Sequence, residues 1–133
     1  IMNKAFQIIK DVHVFYISTI DGDRPSCRPF GALSEIDGKM YTCTSNTKAV
    51  FAQISKNGNV CLCTMGQERE WVRINAHAVV ENSSELKAKM FDLNPHLRTI
   101  HSSENDGAFE LIRLENGTAE IHYGDGSIET IDF

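Results

Sequence analysis

No apolar run in the 133 residues approaches the ~20 that a membrane-spanning helix needs, so no membrane partner is expected. No charged segment followed by an apolar one opens the chain, and no secretory signal is expected in it. No cluster of Lys or Arg stands out, and the formal net charge is −5. Non-specific nucleic-acid binding depends on clustered cations and is not expected. None of the four cysteines, Cys27, Cys43, Cys61 and Cys63, forms a Cys-x-x-Cys pair, which argues against a zinc ribbon or a thioredoxin motif. Cys61 and Cys63 fall on one face of one strand, ~6.6 Å apart along it, which is poor disulfide geometry. The expectation is reduced core thiols in a cytoplasmic protein. The five histidines, His13, His77, His96, His101 and His122, lack the spacing of a helical metal motif, and no metal site is expected. Repeats, linkers and low-complexity runs are absent too, which leaves one domain over residues 1–133.

What is present reads mainly as strands. Residues 3–10 have helical apolar spacing, and residues 13–20 are rich in β-branched and aromatic side chains. Residues 25–36 read as one second strand. Pro29 inside it has no N–H to give, so one side there must be an edge, a bulge or a bend. Asp37-Gly38 is a hairpin turn signal before a third strand, 39–44. A helix is expected over 47–56, then a strand over 60–65 that reads as buried on both faces.

Residues 70–81 alternate. Val72, Ile74, Ala76, Ala78 and Val80 face the core; Trp71, Arg73, Asn75 and His77 face away. A Ser-capped helix follows through Asp92, and Pro95 opens a second helical piece, 96–101. The polar loop 102–107, with Asp106, reads as solvated. A strand over 108–123 carries a turn or bulge at Asn116-Gly117, and a short strand ends the chain. The fold class expected is mainly β with flanking helices, an antiparallel sheet closing into a small barrel rather than leaving two bare edges.

The stretch Tyr41-Thr42-Cys43-Thr44-Ser45-Asn46-Thr47-Lys48 runs from a strand into a helix start. A helix start offers unpaired N–H groups and partial positive charge to an anion. Thr44, Ser45 and Thr47 add hydroxyls, and Lys48 adds a full charge. The plain alternative is Asn46 or Ser45 capping an ordinary helix. Pairing Ile36 with Lys39 across the turn puts Arg28 opposite Thr47, so Arg28 and Lys48 converge on one phosphate site. The alternative for Arg28 is a surface carboxylate partner. Trp71 lies on a polar strand face, the place of an interface residue or a ligand wall.

Taken together, Arg28-Pro29-Phe30, the run from Tyr41 to Lys48, and Glu70-Trp71-Val72-Arg73-Ile74 resemble the FMN-binding split-barrel family. That family includes pyridoxamine 5′-phosphate oxidase and nitroimidazole-resistance-type proteins. The likeness covers residues 15–81 in order and spacing. It implies a homodimer of split β-barrels with FMN at the interface, acting on a small-molecule substrate. By position, Arg28 and Lys48 would hold the FMN phosphate, helped by Thr47, with Thr44 a further cofactor-binding residue. Pro29, Phe30, Thr42 and Cys43 would line the flavin ring, and Trp71 would approach from the partner. Trp71 stands where the oxidase carries a glutamine, and the oxidase's C-terminal arginine motif is not evident in residues 123–133. The implied activity is that of a flavin-dependent oxidoreductase of unknown substrate, with NAD(P)H a possible electron donor. The alternative is a non-catalytic flavin- or haem-binding module, with His77, His96 or His101 as axial ligand.

Overall fold

The computed structural model describes residues 2–133. The elements run α1 (Lys4–Val12), β1 (Phe15–Asp21), β2 (Arg24–Phe30), β3 (Ser34–Ile36), β4 (Lys39–Ser45), α2 (Ala49–Lys56), β5 (Asn59–Met65) and β6 (Trp71–Glu81). Then come α3 (Ser84–Leu93), a 3-10 turn (Pro95–Thr99), β7 (Phe109–His122) and β8 (Ile128–Asp132). All strand pairs are antiparallel, in the order β2-β1-β5-β6-β7-β4-β3, with β8 on the far half of β7.

The sheet wraps one core. Phe15 and Ile17 of β1, Met40 of β4, Leu62 of β5, Ile74 of β6 and Ile121 of β7 share it with α1 and α2. Its ends, β2 and β3, do not pair with each other, so the sheet stays open there: the strand pattern alone suggested closure, and the split barrel that the family resemblance implied is the one found. They are consecutive in the chain, and the split lies at their junction, Gly31–Leu33. This bend divides the single strand expected over 25–36. The carbonyls it frees are taken by side chains: the buried Thr42 hydroxyl donates to Ala32 O at 2.7 Å, and Lys10 Nζ to Leu33 O at 3.0 Å. Pro25 and Pro29 both lie on β2, an end strand, where a missing donor costs nothing on the open side.

Local chemistry explains most of the remaining boundaries. Asp37 and Gly38 have φ of 52° and 79°, the left-handed pair of a tight hairpin. Asn3 and Ser83 cap α1 and α3 by accepting from Phe6 N and Leu86 N. Asn94 ends α3, buried, and its amide donates to Ser34 Oγ at 2.9 Å and Met90 O at 3.0 Å. This pins the following 3-10 turn to β3. A second apolar cluster lies between α3 and the outer face of β4 and β7, around Tyr41, Met90, Phe91, Leu97, Phe109 and Leu111.

Along β6, Val72, Ile74, Ala76 and Ala78 are buried as their alternation implies. At Asn116-Gly117 the strand bulges and continues; a Cβ on Gly117 would lie 2.3 Å from Asn75 O. β5 is buried on one face only, not on both. Its outer face carries Cys61 and Cys63, and Cys27 is exposed on β2. Of the four thiols only Cys43 packs against a core, so the expectation of core thiols fails for the other three. No helix among the described residues is long and apolar enough to cross a membrane.

Candidate functional site

Arg28 does not stand opposite Thr47. The β3–β4 hairpin has the expected register, Ile36 to Lys39, but its pairing ends at Ser34 with Tyr41. Beyond the bend, β2 turns to β1, and Arg28 pairs with Ile17. Arg28 and Lys48 nevertheless meet, because the split places the end of β2 beside the end of β4. Both line a cleft of about 270 Å³ with Pro29, Phe30, Cys43, Thr44 and Ser45. The 3-10 turn and the residues after it close the far side with His96, Leu97, Ile100 and His101.

Arg28 is held by neutral acceptors. One guanidinium nitrogen donates to Thr19 Oγ1 at 2.8 Å and to the Ile17 and Ser26 carbonyls at 3.2 Å. The other donates to Ser26 Oγ and Gln53 Oε1, both at 2.9 Å. No carboxylate pairs with it among the described residues, contrary to the surface-partner alternative. Burial pulls its pKa down from the ordinary value, yet arginine stays charged in proteins. Its positive charge is thus fixed in place without an anion.

Lys48 is the N-cap of α2 and makes no side-chain capping bond. The alternative caps are engaged elsewhere. Asn46 Nδ2 donates to Gly107 O at 2.8 Å, and Ser45 Oγ lies 2.8 Å from Thr47 Oγ1. The start of α2 therefore keeps its dipole uncompensated beside two cations. In a chain of net charge −5, no carboxylate lines this cleft among the described residues.

Cys43 sits in the wall. Burial pushes its thiol up to about 12, although Lys48 pulls the other way. It is a neutral thiol, not a nucleophile.

Three of the expected site residues are not in this wall. Thr42 is fully buried and holds the bend. Thr47 is exposed beside Ser45. Trp71 lies on the outer face, stacked on His122 with ring centroids 3.9 Å apart, with Arg73 5.2 Å from its ring. Glu120 accepts from Arg73 and pairs with His122 at 2.8 Å.

Trp71 also lines an apolar groove with Tyr16, Cys63, Thr64 and Met65. Tyr16 is 51% exposed and Met65 62%. Tyr16 pairs with Pro29, so this face runs up to the cleft.

Asp106 is not merely solvated, as expected of its loop. Its carboxylate lies 3.1 Å from His101 Nδ1 and accepts from Ala108 N at 2.9 Å. Gln53, Thr19 and Asp106 escaped the sequence because each acts through a contact made by a distant strand or loop. Gln53 alone carried a signal, a polar residue on the inner side of a helix.

A family model for pyridoxamine 5′-phosphate oxidase matches residues 1–123. The chain belongs to the pyridoxamine 5′-phosphate oxidase family. Within it, the chain is similar to a NimC/NimA family protein of Clostridium acetobutylicum. The two are 30% identical over 96% of this chain and 91% of that one, with a TM-score of 0.90.

General stress protein 26 of Bacillus anthracis shares the fold at 22% identity, over 96% of both chains, with a TM-score of 0.74. So does HutZ, the haem storage protein of Vibrio cholerae, at 15% identity over 81% of this chain and 84% of that one, with a TM-score of 0.65. No curated protein matches the sequence. The oxidase family's split antiparallel barrel is the fold of this chain.

Proposed function

We propose that the protein is a homodimeric flavin-dependent oxidoreductase that holds FMN by its phosphate in the Arg28–Lys48 cleft. The observation that carries this reading is the cleft itself: two cations without anionic partners and an uncapped helix start share one wall free of carboxylates among the described residues. Such a donor set fits a dianion and little else. Ser45 and Thr44 add hydroxyls.

The volume fits part of FMN, not all of it. At about 270 Å³ the cleft falls below the roughly 300–1,000 Å³ of a pocket that encloses a drug-sized ligand. The phosphate end belongs inside, and the flat ring extends past Pro29 and Phe30. A second copy of the chain, docked on the apolar face around Tyr16, Met65 and Trp71, completes the enclosure. Trp71 is suited to this because His122 and Arg73 already fix its indole.

When bound, FMN supplies two-electron chemistry with an organic or nicotinamide partner. The chain's part is to grip the phosphate, orient the ring and keep water from one face. With its thiol held neutral, Cys43 offers the ring a polarizable, uncharged neighbour.

Haem is the second reading, favoured by His96 and His101 in the same cleft. A spectrum of freshly purified protein separates the two. Flavin bands released on denaturation, and bleached anaerobically by NADH or NADPH, support the oxidoreductase. Flavin bands that no reductant of this kind bleaches point to a flavin store. A Soret band lost in His96→Ala or His101→Ala points to haem. Protein that neither retains nor takes up either group overturns both readings.

A further inference from the structure

His101 is 7% exposed, yet its ring is not fully satisfied. Nδ1 lies 3.1 Å from Asp106 Oδ2, so the ring keeps a proton on Nδ1 and donates it in a hydrogen bond to the carboxylate, which fixes the ring's orientation. The ring edge packs against Phe91 and Phe109, at centroid distances of 6.5 and 5.1 Å. Nε2 has no partner among the described residues. Among the described residues no buried polar side-chain atom is left unpaired, so Nε2 keeps access to open space. The open space this residue lines is the Arg28–Lys48 cleft.

The loop that holds the ring is also tied to the near wall. Asn46, two residues before Lys48, bonds the loop that carries Asp106: its amide nitrogen donates to Ala108 O and its side chain to Gly107 O, both at 2.8 Å. We propose that His101, held by Asp106, is a third anion-binding group of this cleft. Its Nε2–H, present when the ring is doubly protonated, donates to an oxygen of a phosphorylated ligand, so that binding takes up a proton.

This inference rests on the cleft being a phosphate site. The charged and titratable groups around His101 are Asp106 from its own loop, His96 from the 3-10 turn, Arg28 from β2, Lys48 before α2 and Cys43 from β4. The elements packed on the ring, α3 and β7, present Phe91 and Phe109. Asp106 orients the ring through Nδ1, and Arg28 and Lys48 line the same cleft. A dianion placed between these groups attracts a proton to the ring beside it, which is why proton uptake and binding are linked.

The test is a titration with FMN and with riboflavin from pH 5.5 to 8.5, read by flavin fluorescence, on the unmodified protein, His101→Gln and Asp106→Asn. The ligand's own phosphate gains charge with rising pH, but it does so equally for every variant. The informative quantity is therefore the ratio of affinities.

The expected loss for His101→Gln with FMN is about ten-fold at pH 5.5, the size of one charge-assisted hydrogen bond, shrinking toward none at pH 8.5. Riboflavin affinity is expected to be unchanged. Asp106→Asn should show part of the same loss.

An NMR measurement on the unmodified protein needs no variant to fold. The His101 imidazole nitrogens should move to the doubly protonated position on adding FMN at pH 7. A His101→Gln profile that follows the unmodified one at every pH, an equal loss for riboflavin, or unmoved His101 resonances each overturn the proposal. If Arg28→Ala abolishes FMN binding while His101→Gln does not, the cleft reading stands and this inference alone fails. No FMN binding by the unmodified chain overturns both.

Discussion

Arg28 on β2 reaches across β1 and donates to Gln53 Oε1 on α2, at 2.9 Å. The bond joins an end strand of the split barrel to the helix whose start forms the anion cleft. Thr19 bonds the same Gln53 oxygen and also accepts from Arg28, so the three side chains make a closed triangle. Gln53→Ala removes one acceptor but leaves Arg28 its contacts to Thr19, Ser26 and Ile17. The expected cost is about 2 kcal/mol in denaturant-induced unfolding, the net worth of the two hydrogen bonds that the Gln53 oxygen accepts. FMN affinity should fall by less than it does for Arg28→Ala. Equal losses in the two variants would show that Arg28 acts only as a strut for α2.

The outer face around Tyr16, Met65 and Trp71 is read as the seat of a second copy. A paired substitution, Tyr16→Glu with Met65→Glu, places two charges on it without touching the cleft wall. Light scattering should report a dimer for the unmodified chain and a monomer for the variant. Flavin affinity should drop with the loss of the dimer. A monomeric variant with undiminished affinity would assign the whole ring site to one chain.

Cys43 gives a pH test. Its thiol is pushed up to about 12 by burial, above its ordinary value of 9.0. A raised pKa means that the folded state holds its proton more tightly than the unfolded chain does. The associated stability is fully present below pH 9 and declines as pH rises from there toward 12. Cys43→Ala should therefore flatten the alkaline limb of a plot of stability against pH, while lowering stability at neutral pH through lost packing. The unmodified protein should resist iodoacetamide at Cys43 at pH 8 until it unfolds, as mass spectrometry of the digested protein would reveal. Rapid labelling of Cys43 in the folded state would contradict its placement in the wall.

Much of the fold was legible because strand alternation and turn chemistry are local. Val72 to Ala78 on β6, the Asp37-Gly38 turn and the Ser83 cap follow from neighbouring residues alone. Pro29 called for an edge, a bulge or a bend because its ring removes a donor, and of these the fold supplies the edge. The bend at Gly31–Leu33 was not legible, because it is held by Thr42 and Lys10 from two other elements. For that reason the hairpin register carried Arg28 to the wrong partner, although the split later returned it to Lys48's side. His101 and Asp106 were legible only as separate polar residues. Their pairing depends on a loop conformation that Asn46 fixes from β4's end. Local pattern located the cleft's near wall; its far wall comes from long-range contacts.

The account turns on charge meeting a phosphate at the start of α2, and one comparison addresses it directly. FMN and riboflavin differ only in that phosphate. Calorimetric titration of both into the unmodified protein and into Arg28→Ala/Lys48→Ala measures what the two cations contribute. Charge-assisted hydrogen bonds are worth roughly 1.5–3 kcal/mol each, so the double variant should lose at least about a hundred-fold in FMN affinity. It should bind riboflavin as the unmodified chain does. Equal FMN affinity in the two proteins, or an equal loss for both flavins, would contradict the phosphate site.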